Sequence, residues 1–214
     1  MKYVDTNKSL GAVDHERGLI WDLAIEPDVS SGGAHPRMRG GLGFGVPLGW
    51  AHSSVWLYSS AGAAFGDRTN PLGSYYLGAF GNNYVDDGEV KRYREYESFP
   101  GFQIDGIAAR RFAKSLAEWN LPPVRFSDVG WPSLYLSHVR TALFAGVLAA
   151  QPPSGPEQTL ATLGGQADFN FTLALRLPMT FSVGYARGLQ LNAAPGFDAG
   201  RRPHGEVMAS LKIM

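Results

Sequence analysis

The chain has no cysteine, no net charge and no long apolar run, and each absence removes a class of protein. Without a Cys in 214 residues there is neither a disulfide framework nor a thiolate metal site. Lys plus Arg and Asp plus Glu both number 19, so nothing suggests a nucleic-acid binder or a polybasic surface protein. No apolar run reaches the roughly 18 residues of a transmembrane helix. The opening MKYVDTNKSLGAVDHERG has no apolar h-region and no small-residue cleavage site. It reads as a polar loop feeding a strand, so the start of the protein is expected to be lost, export signal included. Catalytic signatures are missing too: there is no GxSxG elbow, no HExxH and no phosphate-binding glycine loop. His15, His35, His52, His138 and His204 stand apart from one another.

What is present is alternation. From Leu163 to Leu177 the odd positions include Phe169, Phe171, Leu173 and Leu175, while the even ones include Thr162, Gln166, Asp168, Asn170 and Arg176. After Pro178 the pattern resumes, with Met179, Phe181, Val183 and Tyr185 set against Thr180, Ser182 and Gly184. Strand side chains point to opposite faces in turn, so these are two strands, each with one apolar and one polar face. The first run is long enough to cross a bilayer when tilted, which takes about 9–11 residues. The 27 glycines and 12% aromatics suit tight turns and interfacial girdles. Low mean hydropathy, −0.13, is no objection, because a barrel strand is only half apolar.

The expected fold is therefore all-β: an antiparallel transmembrane β-barrel of about eight strands, in one domain spanning 1–214. The strands are expected at about 17–26, 36–48, 53–66, 107–121, 133–149, 159–177, 179–188 and 203–213. A long lumen or surface loop covers 66–105, a length that is usually functional or disordered. Ala108, Phe112, Leu116 and Trp119 also fit helical spacing; the Pro122–Pro123 that follows and the flanking strands favour a strand. A soluble β-sandwich alternates as well, but its strands are shorter and its polar faces carry more charge.

From residue 97 onward the order of elements resembles the C-terminal half of the bacterial surface-antigen superfamily of outer-membrane β-barrels, of insertase and two-partner-secretion transporter type. The matching stretches are SFPGF (Ser98–Phe102) in the loop, LAEWNLPP (Leu116–Pro123), TALFAGVL (Thr141–Leu148) and three closing strands. The resemblance implies half of a sixteen-stranded barrel whose loop folds into the lumen. Residues 1–97 match by strand layout alone. Two departures stand out. Where the family's loop has an arginine this chain has Pro100, followed by the retained Gly101 and Phe102. The acidic partner, due near Phe144 or Ala145, is absent. Met214 also replaces the family's terminal aromatic.

Glu118, His138, Arg140, Asp168 and Arg176 fall on polar phases and are the expected lumen network, with Glu118 and Arg140 pairing across it. Asp86, Asp87 and Glu89 are acidic enough to attract a cation but lack calcium-loop spacing. No catalytic residue, cofactor or metal is expected. The expected partners are the lipid bilayer, the outer-membrane assembly machinery and the missing N-terminal half of the barrel, with no nucleic acid. The role expected is structural, transport or surface display in the bacterial outer membrane. The alternatives are an autonomous small barrel serving as adhesin or anchor, and a barrel hydrolase.

Overall fold

The computed structural model describes the chain except residues 31–32, 51, 67–69, 82–89, 128, 132, 175, 193–202 and 214, and the side chains of 28 and 30. Its strands are β1 (Lys2–Asn7), β2 (Arg17–Ser30), β3 (Gly33–Pro47), β4 (Ser54–Ala64), β5 (Tyr75–Leu77), β6 (Ile107–Ala109), β7 (Arg111–Asn120), β8 (Val124–Arg125), β9 (Gly130–Trp131), β10 (Leu134–Gln151), β11 (Gln158–Leu173), β12 (Leu177–Gln190) and β13 (Gly205–Ile213). Eleven of them form one antiparallel sheet in the order β1-β2-β3-β4-β7-β10-β11-β12-β13, with β8 and β9 added beside β10. β5 and β6 make a separate pair. The sheet is not closed: among the described residues β1 and β13 each have one partner only.

Several expectations are corrected by this layout. The sheet has eleven strands rather than about eight, and β1, whose residues alternate poorly, was not expected. The segment 107–121 is two strands: β6 pairs with β5, while β7 alone joins the main sheet between β4 and β10. The spacing that also fits a helix is accommodated in β7 as plain alternation, with Phe112, Leu116 and Glu118 buried. The hairpin between β11 and β12 closes with Leu173 opposite Leu177, so the chain reverses before Pro178. Ala174 takes a positive φ of 49 there. Pro178 sits second in β12, opposite Thr172, close to a strand start where a missing N–H is tolerated.

The two faces of the sheet are occupied in the reverse of a soluble protein. Leu42, Leu163, Leu189 and Leu211 are 51%, 60%, 47% and 58% exposed, whereas Asp168 and Glu118 are each 1% exposed. Phe169 and Phe171, half-buried, lie on the outward phase of β11 with exposed Leu163 and Leu173; Leu175 lies outside the described residues. Apolar side chains thus crowd the outward face, while the inward face is mixed: Glu118, Gln166, Asp168 and Asn170 are buried there beside Phe112, Leu116, Phe144 and Leu148. The connection from β4 to β7 covers that inward face. Its buried residues, with inward residues of the strands, form two apolar clusters. Phe99 and Phe102 lie with Phe112, Leu148 and Leu160 in one; Phe80 and Tyr93 lie with Leu116, Phe144 and Met208 in the other.

The same connection touches structures at both ends of the strand order: Lys91 meets Asp14, between β1 and β2, and Phe80 meets Glu206 on β13. Nine flat strands at about 4.8 Å spacing would put those ends nearly 40 Å apart. The sheet therefore curls around the loop. Inward glycines make room for this filling. A Cβ at Gly45 would lie 2.2 Å from the Trp56 ring, which stacks on Tyr58 at 5.7 Å.

Candidate functional site: a loop held inside a curled sheet

Alternation along antiparallel pairs fixes where each connection lies. The β1–β2, β3–β4, β7–β10 and β11–β12 connections share one end of the sheet, and the long loop enters from the other. Its residues 90–95 reach the far end; residues 98–106 climb back. The two stretches are held differently.

At the deep end six charges meet, three of each sign. The Lys91 ammonium donates to Asp14 Oδ2 at 3.0 Å and to Glu118 Oε1 at 3.1 Å, and also to the Asn120 side-chain carbonyl. Arg94 grips Glu118 with two hydrogen bonds, Nε to Oε2 and Nη2 to Oε1, both 2.7 Å. A bidentate guanidinium–carboxylate pair of this kind is directional as well as strong. Arg140 lies 3.6 Å from Asp168 and 3.9 Å from Asp14. Asp168 Oδ1 accepts from Gln166 Nε2 at 2.6 Å and Ser182 Oγ at 2.7 Å. Burial alone would raise the Asp14 carboxyl, but Lys91, Arg94 and Arg140 hold it well below the usual carboxylate range. Tyr93, fully buried and stacked on Phe144 at 4.2 Å, has its phenol pushed well up by burial and by Glu118.

Toward the mouth the strands hold the loop by its main chain. Lys114 on β7 donates to the carbonyls of Glu95 (2.5 Å), Tyr96 (3.0 Å) and Ser98 (2.9 Å). Thr162 Oγ1 donates to Pro100 O at 2.6 Å. Glu206 accepts from the backbone N–H of Phe80 at 3.1 Å and of Gly101 at 2.8 Å. Gly101 has φ +88, a left-handed conformation that favours glycine. A Cβ there would lie 2.1 Å from Gly188 N. Close packing accounts for glycine at 101 and burial for Phe102, and no side-chain charge is used at position 100.

Of the residues expected in the lumen, Glu118, Arg140 and Asp168 face inward in this cluster. Glu118 takes Lys91 and Arg94 instead of Arg140. His138 is half-buried nearer the deep end of β10, two residues from Arg140, with its Nδ1 3.1 Å from Ser137 Oγ. Arg176 is exposed in the β11–β12 turn, because that turn forms ahead of Pro178. Asp86, Asp87 and Glu89 lie outside the described residues. Asp14 and Lys91 escaped the sequence reading: connections have no period to reveal which way a side chain points.

One histidine does have a serine and an acid beside it. Ser9 Oγ is 3.3 Å and Glu16 Oε1 3.0 Å from His52, but both approach the same nitrogen, Nδ1. A serine–histidine–acid relay needs the serine and the acid on opposite ring nitrogens, so this trio is not arranged for proton relay. Among the described residues no group of three His, Asp or Glu is placed to hold a metal.

Comparison with protein-family models, with curated proteins and with solved structures finds no match.

Proposed function

We propose that this chain is a segment of a bacterial outer-membrane β-barrel, the C-terminal part of a surface-antigen-like barrel with an inward-folded loop. Its role would be structural, in transport or in surface display, without catalysis of its own. The observation that carries the reading is the outward face: Leu, Val, Ile and Phe stand bare outside, while charged and amide side chains are packed inside beside the loop's aromatic rings. Lipid accepts such a face, whereas water penalises it.

Two further observations favour a wide barrel over an autonomous small one. A closed eight-stranded barrel has an interior just wide enough for side chains, yet here a stretch of main chain with its own aromatic clusters lies inside. Strand direction gives the second. Nine strands alternate from β1 to β13, so the two free edges run the same way. Joining them, or adding further copies in the same membrane orientation, makes only parallel seams. Antiparallel closure needs an odd number of additional strands; seven would complete sixteen. Because lipid cannot satisfy an open edge, those strands are the partner this segment requires. The hydrolase alternative is disfavoured by the His52 geometry.

The test is expression behind a signal sequence, followed by membrane fractionation and heat-dependent gel migration. Membrane residence with a heat-dependent shift is expected. A soluble monomer with no shift would overturn the reading.

A further inference from the structure

Glu206, half-buried, occupies an unusual place for an anchor: it is carried by β13, one of the two strands with a free edge. It bonds two loop amides twenty-one residues apart in sequence, Phe80 and Gly101. The neighbouring His204 N–H donates back to Gly101 O at 3.0 Å, and Met208, next inward on β13, packs in the cluster that holds Phe80. On β12, Gly188 lies against Gly101 so closely that a Cβ there would sit 2.3 Å from Gly101 O. The loop mouth is therefore seated on the last two strands.

We propose that Glu206 is a latch coupling the mouth of the inward loop to the edge strand, so that displacing β13 from β12 frees the mouth segment while the deep end stays held. The inference rests on the barrel reading above. The physical reason is geometric. Both loop amides are satisfied by one carboxylate, so a shift of β13 removes both bonds together and leaves two buried N–H groups without acceptors. The seating uses main-chain groups, and so it persists without a loop arginine.

The absence of native cysteine allows a direct test. Ser98→Cys places one thiol in the buried mouth segment, and its reaction with a membrane-impermeant maleimide reads release of the mouth in outer-membrane vesicles. Adding Glu206→Ala should raise the labelling rate at least about tenfold, the order expected when two hydrogen bonds to a charged group are lost. Ser210→Ala, on the same inward face, should leave it unchanged. A second arm keeps Glu206: Tyr185→Cys and Val207→Cys, directly paired across β12 and β13, tether the edge strand when oxidised. Oxidation should slow Ser98→Cys labelling several-fold relative to the reduced form. Equal rates in both arms, in protein that still shows the heat-dependent shift, overturn the latch alone. Loss of that shift in the otherwise unaltered chain counts against the barrel reading instead.

Discussion

The deep and mouth ends of the long loop lie in the same curled sheet, yet they are held by opposite means. At the deep end loop side chains do the holding: Lys91 and Arg94 project onto Asp14 and Glu118. At the mouth the loop presents its main chain, and the strands supply the charges, Lys114 and Glu206. The difference matters for sequence tolerance. Side-chain ion pairs demand particular charged residues in the loop; the mouth demands no charge of the loop, only glycine at 101 for the backbone path and buried rings at 99 and 102. The mouth therefore keeps its place with an uncharged Pro100.

The sharpest way to break this contrast is at Glu118. Glu118→Ala leaves Lys91 and Arg94 buried without their main counter-charge, which should cost about 3–5 kcal/mol. Urea unfolding followed by tryptophan fluorescence reads the loss; a cost below about 1 kcal/mol would mean that charge does not hold the deep end. Phe102→Ala probes the mouth, where removal of a fully buried ring should cost about 3 kcal/mol and expose the mouth while leaving the deep pairs intact.

Asp14→Asn should be milder, about 1–2 kcal/mol, because the carboxylate is partly exposed and its charge-assisted bond to Lys91 is screened. The pH dependence has a definite sign. The Asp14 carboxyl is depressed in the folded chain, so its contribution is complete above the unfolded value near about 3.9 and fades as pH falls through the lower folded value. Asp14→Asn should flatten that part of the acid-stability profile; an unchanged profile would remove Asp14 from the deep lock. The smallest effect is expected at Pro100→Ala, below about 1 kcal/mol, since Thr162 bonds the carbonyl and not the ring. A larger loss would show that the Pro100 ring itself helps to seat the mouth.

Much of the sheet was legible because alternation is local. A residue two places along a strand lies on the same face whatever surrounds it, so the inward direction of Glu118, Arg140 and Asp168 could be read one strand at a time. Arg176 shows the limit of that rule. It counts as polar-phase only if the strand runs to Leu177, and the turn at Ala174 ends the strand sooner. β1 was missed for a related reason: Lys2, Tyr3, Val4 and Asp5 give an edge strand no clean apolar face to announce it.

By itself, then, the sequence determined which residues alternate, and so a sheet with one apolar and one polar face. Tertiary structure decided that the loop fills the inward face, that aromatic rings share it, and which charges meet. Lys91 lies 77 residues from Asp14 and 27 from Glu118, and Glu206 lies 105 from Gly101. No local period encodes such contacts. They follow from the curl of the sheet, which brings distant connections to one interior where an unpaired charge costs more than it would in water.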